Sequence, residues 1–187
     1  LTLNRMTRKQ TSSLMEQVLG EKRLPASVAD EILVRTDGVP LYVEELTKMV
    51  LESDLLDEED GQYRVVGALP PAAIPTTLQD SLTARLDRLA PVKEVAQLCA
   101  AIGREFRYDL LAAASAMPEE QLLEALEQLV KAELLHQRGV LPGLIFTFKH
   151  SLVRDAAYQS LLKARRQQYH QRIAMAITER FPQMAAT

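Results

Sequence analysis

Apolar side chains recur at helical spacing along most of this 187-residue chain. Leu14, Met15 and Val18 share one face of a helix running from a cap at Thr7 to Leu19, where Gly20 stops it. Pro25 opens a second helix with Val28, Ile32 and Leu33 on one side, and Gly38 ends it. Pro40 opens a third, striped by Leu41, Leu46, Met49 and Val50. From Leu55 to Val66 the helical period is lost. There Glu-Glu-Asp-Gly61 reads either as a turn between two short extended pieces or as part of a surface loop. Leu69-Pro-Pro-Ala-Ala-Ile-Pro75 forms a stiff connector, because proline fixes φ and blocks helix. Beyond a cap region at Thr76-Thr77, the helical period returns with Leu78, Leu82, Leu86 and Leu89.

From Pro91 the pattern changes. A helix to Ile102 precedes an extended bit at Glu105–Arg107, then helices over Asp109–Ala116 and Pro118–Glu133. Two strands follow, Leu134–Arg138 and Leu144–Lys149, joined by Gly139-Val-Leu-Pro-Gly143. Three helices and then a two-stranded ribbon is the order of a winged helix. Helices over His150–Leu162 and Ala164–Phe181 complete the chain. The predicted fold is mainly α: a helical bundle over residues 1–90, then a winged-helix domain with a short β-ribbon and extra C-terminal helices over residues 91–187. The border falls near Ala90-Pro91.

Charge narrows what the winged helix can do. Residues 1–90 carry 10 basic and 15 acidic side chains, and residues 91–187 carry 12 and 10. The helix that would read DNA exposes Glu119, Glu120, Glu124, Glu127 and Glu133 against Lys131. Phosphates repel such a surface, so nucleic acid is not the expected partner. The basic cluster Lys163-Ala-Arg-Arg-Gln-Gln-Tyr-His-Gln-Arg172 lacks a broad apolar flank and reads as a solvated helix face. The sequence shows no membrane span or signal peptide, and a reducing cytoplasm suits its lone Cys99, read as a small buried hydrophobe. Glu44 and Glu45 read as carboxylates complementing a helix N-terminus rather than as an acid/base pair. His136, His150 and His170 are too scattered for a metal signature, and no nucleophile with a placed base is present. Catalysis and metal binding are therefore not expected of this stretch.

Two places carry candidate chemistry. Thr36-Asp-Gly-Val-Pro40 is a helix stop followed by a helix start. Gly38 lets a ligand approach the backbone, and beside Val39 the rigid ring of Pro40 offers an apolar surface to a base such as adenine. Phe146-Thr-Phe-Lys-His-Ser-Leu-Val-Arg-Asp155 reads as a strand that delivers His150 to the first turn of an amphipathic helix. An imidazole N–H there can donate to a phosphate oxygen, helped by the helix dipole.

Together these motifs resemble the STAND class of signal-transduction ATPases, relatives of AAA+ proteins. In that class a nucleotide-binding core precedes a helical lid with a Gly-x-Pro motif, matched by Gly38-Val39-Pro40, and then a winged helix. Phe148-Lys-His-Ser-Leu-Val-Arg-Asp155 is similar to the Met-His-Asp motif of plant NB-ARC proteins, with Lys149 and Ser151 replacing Met and Asp. Arg35–Thr47, Ile74–Leu82, Ala101–Phe106 and Lys149–Leu162 also resemble a bacterial group of predicted ATPases that often carry a class III adenylate/guanylate cyclase domain and C-terminal tetratricopeptide-like helices. The resemblance implies that Pro40 packs on adenine and His150 contacts the phosphate of ADP or ATP in a longer parent. The implied partners are an upstream nucleotide-binding core and cyclase-like domain, and downstream helical repeats. The Gly-x-x-x-x-Gly-Lys-Ser/Thr loop and the acidic magnesium residues are expected before Leu1, with Leu1-Thr-Leu as the end of the core's last strand or the link out of it. Two alternatives remain: a winged-helix transcription regulator and a plain helical protein-docking module.

Overall fold

The computed structural model describes residues 5–20, 22–53, 56–59, 62–66 and 75–182. The expected connector over 69–74, the turn at 60–61 and the opening Leu1-Thr-Leu lie outside them. The chain divides into two compact units, Leu1–Arg85 and Leu86–Thr187.

In the first unit, helix boundaries follow local chemistry. Helix α1 (Arg8–Leu19) starts on Thr7, whose hydroxyl accepts from the Gln10 N–H while the Gln10 side chain accepts from the Thr7 N–H. This reciprocal box satisfies two amides that a helix start otherwise leaves open. Helix α2 (Ala26–Thr36) follows Pro25, and α3 (Pro40–Leu51) begins on Pro40 itself. Proline suits that position because its missing N–H would have had no partner there. Met15 of α1, Val28 and Ile32 of α2, and Tyr42, Val43, Leu46, Met49 and Val50 of α3 form one buried cluster. Each large apolar side chain buried in it contributes roughly 1.5–3 kcal/mol. The stripe of α3 is rotated from the expected one, since Tyr42 and Val43 are buried while Leu41 is half-buried. Of the two readings of this region, the extended pieces are observed: β1 (Leu56–Glu59) pairs antiparallel with β2 (Gln62–Val65). Leu56 and Val65 pack on the cluster. Thr77 caps α4 (Leu78–Arg88), accepting from the Asp80 N–H at 3.1 Å.

The second unit is built around α5 (Ala90–Ile102). Val92, Val95, Ala96, Leu98, Cys99 and Ala100 are all buried, so apolar residues leave this helix in several directions. A helix apolar nearly all round needs neighbours on every side. After α5 come β3 (Glu105–Arg107), α6 (Tyr108–Ala114), α7 (Glu119–Lys131), β4 (Leu135–Arg138), β5 (Ile145–Phe148), α8 (Ser151–Gln159) and α9 (Lys163–Arg180). Helices α7, α8 and α9 pack on α5, and α6 packs on α9. The sheet is antiparallel with order β3-β5-β4, and its register sets Phe146 opposite Phe106 on one side and Gln137 on the other. Phe106 stacks on Phe146 with ring centroids 5.9 Å apart. This is the connectivity of a winged helix, with the β4–β5 ribbon as the wing. The mainly α architecture expected from the sequence is observed. Among the described residues, no helix is long and apolar enough to cross a membrane.

Candidate functional site

The Gly38–Pro40 junction is shaped by two left-handed residues. Asp37 (φ 46°) and Gly38 (φ 69°) follow α2 and reverse the chain into α3. The Val39 N–H bonds the Thr36 carbonyl at 2.9 Å, closing the turn. Gly38 is required here on two counts. Its φ favours glycine, and an added Cβ would lie 2.3 Å from the Met6 carbonyl oxygen. The Met6 N–H also bonds the Gly38 carbonyl at 2.8 Å. Met6 thus fills the approach to the Gly38 backbone that the sequence reading offers to a ligand. The exposed apolar surface of the junction is Val39 and Pro40. An ion pair between Arg5 and Asp37 borders the junction. A cavity of about 440 Å³ lies alongside, lined among others by Arg8, Thr11, Val34 and Gly38.

In the second unit, β5 ends at Phe148 and the Lys149 N–H bonds the Leu134 carbonyl at 3.1 Å, tying the strand end to the root of the wing. His150 is the N-cap of α8, one step earlier than the expected first turn, because its backbone is still extended (φ −132°, ψ 143°). Its ring makes no capping bond. Its Nε2 is buried and has no hydrogen-bond partner. A buried polar atom left unpaired costs roughly 1–3 kcal/mol, so each one in a fold calls for an explanation. Arg154, one helical turn further on, repeats the situation: its Nε is buried and unpartnered, while Nη2 pairs with Asp155 at 2.7 Å. Lys149 pairs with Glu133 at 3.3 Å. The amides at the N-terminus of α8 add partial positive charge beside His150, although the Val153 N–H is already bonded to the His150 carbonyl at 3.1 Å. Neither His150 Nε2 nor Arg154 Nε has solvent-exposed surface, so an anion or other acceptor reaches them only after a local side-chain movement. Sequence reasoning missed Arg154, although its spacing of four from His150 on an amphipathic helix was available as a signal.

Elsewhere the structure corrects one reading and supports another. Glu44 and Glu45 lie beyond the first turn of α3, too far along to complement its dipole. Instead Glu44 pairs with Lys48 at 2.8 Å, and Glu45 is buried in an ion pair with Arg85 of α4. Arg85 also holds Glu52 through Nε at 3.2 Å and Nη2 at 3.1 Å. Burial works against the charge of Arg85, but Glu45 and Glu52 outweigh it and keep the guanidinium more basic than usual. Burial pushes the Cys99 thiol well above its ordinary value, consistent with an inert small hydrophobe. Among the described residues, no three or more His, Cys, Asp or Glu side chains gather as a metal site would.

No protein-family model matches the chain. It is similar to the protein named uncharacterized protein R02095 of Rhizobium meliloti (strain 1021), at 26% identity over 145 residues. The match covers 76% of this chain and 13% of that protein, so the chain corresponds to a small part of the relative's length.

Proposed function

We propose that this chain is the regulatory lid and winged-helix part of a nucleotide-switched signalling ATPase of the STAND class, acting in the cytoplasm. In this reading a nucleotide-binding core on the same polypeptide holds ADP or ATP. Val39 and Pro40 cover the adenine at a junction whose shape depends on Gly38, and His150 donates to a phosphate oxygen. The chain carries no catalytic residue of its own. Exchange of ADP for ATP loosens the His150 contact and releases an output such as cyclase activity. A ligand shifts such an equilibrium only through contacts that differ between the two states, and a phosphate-bound histidine supplies one.

The observation that carries the reading is the buried, unpartnered Nε2 of His150 at the start of α8. The exposed Val39-Pro40 edge fits the adenine role. The winged-helix connectivity equally suits a DNA-binding regulator, but the exposed glutamates of α7 weigh against it. In the full-length protein, His150→Ala is expected to speed ADP release about tenfold, the loss of one hydrogen bond to a charged group. Stopped-flow release of a fluorescent ADP analogue measures this. Unchanged off-rates would rule out the phosphate contact.

A further inference from the structure

The wing carries apolar side chains where a solvent-facing turn has no use for them. Val140 is 80% exposed and Leu141 51% exposed, side by side in the turn between β4 and β5. They form one wall of a groove of about 300 Å³. The opposite wall is the edge of α7, with half-buried Leu123 and exposed Glu127. The floor is apolar: Leu126, Leu144 and Phe146 belong to the buried core. In a DNA-reading winged helix, the helix and wing at this position would carry Lys and Arg toward phosphates. Here the outward ridge of α7 carries Glu120, Glu124 and Glu127, with Lys131 only at its end. Arg138 of β4 is one residue from groove-lining Gln137, and strand alternation turns it to the opposite face of the wing. The groove is therefore apolar inside, with Glu127 on its rim and Glu120 and Glu124 further along the same exposed ridge of α7.

We infer that this groove docks a basic amphipathic helix of a protein partner. Charge complementarity decides the class: Lys or Arg on the partner meets the α7 glutamates, while Leu-type anchors enter between Leu123 and Val140-Leu141. Helix-in-groove recognition seats the apolar face of an amphipathic helix in such a slot, and charge complementarity at the rim adds specificity. The inference does not depend on the nucleotide reading, since none of its residues belongs to the His150 or Pro40 sites.

The test titrates the whole chain, isotopically labelled, with three synthetic helical peptides followed by amide NMR. The first is amphipathic Leu/Lys, the second has the same composition with scrambled Leu positions, and the third is amphipathic Leu/Glu. The first peptide is expected to shift the amides of Leu123, Glu127, Val140 and Leu141 and to bind on the order of tenfold more tightly than the other two. Val140→Ser and Glu127→Lys, both at exposed positions that leave the core intact, should each remove most of that advantage. Equal binding of the scrambled peptide would reduce the effect to bulk charge and overturn the inference. So would equal binding of the Leu/Glu peptide, shifts confined to other surfaces, or duplex DNA binding to the same residues.

Discussion

Each unit buries nitrogen atoms of a cationic or potentially cationic side chain at a helix, with opposite outcomes. In the first unit Arg85 is about as buried as any side chain among the described residues, yet Glu45 and Glu52 bond its guanidinium. In the second unit His150 and Arg154 each hide a nitrogen that nothing satisfies. Burial alone does not distinguish a structural group from a functional one; the partner inventory does. A charge whose every donor is used is committed to the fold, and removing it exposes the cost of its partner. A buried nitrogen left without a partner is not accounted for by the fold, and a side-chain movement that uncovers it would let it bond something outside.

The sharpest way to break this contrast is Arg85→Ala. It strands Glu45 as an uncompensated buried charge and should cost about 3–5 kcal/mol, read as a lower denaturant midpoint for the first unit. The double variant Arg85→Met with Glu45→Met should recover most of that loss, because replacing a buried pair by apolar residues is often neutral. If the double variant is as unstable as the single, the pair does more than satisfy itself. Gly38→Ala comes next. Strain at positive φ together with the Met6 clash should cost about 2 kcal/mol, again measured by denaturant unfolding. The smallest effect is expected at His150. Substitution His150→Leu removes an unsatisfied nitrogen and should raise stability by about 1 kcal/mol, the low end of what an unpaired buried polar atom costs. A loss comparable to that of Arg85→Ala would mean that His150 belongs to the structural class after all.

Much of this was legible in the sequence, and the limits have physical causes. Thr7, Pro25, Pro40 and Gly38 mark helix ends through their own backbone and side-chain chemistry, which needs no distant partner. The order of helices and ribbon in the second half follows from local periodicity, and the observed winged-helix connectivity agrees with it. Pairings across long sequence distances could not be read. Glu45 meets Arg85 from forty positions away, so its local setting suggested a dipole role that the packing overrules. The pairing of β3 with β5 and the groove between α7 and the wing depend in the same way on which surfaces the fold brings together. His150 itself was legible from the strand-to-helix switch, whereas its unsatisfied nitrogen became visible only with its neighbours in place.

The far end of α8 is held as firmly as its beginning is open. Arg166 of α9 donates to the carbonyls of Leu161 and Gln159 at 3.0 and 3.1 Å, and Gln97 of α5 donates to the Ser160 hydroxyl at 2.8 Å. At nine residues, α8 is a stiff rod about 13 Å long. Clamped at its tail by residues of two different helices, this short helix holds α5 and α9 in fixed relation to its own C-terminal end.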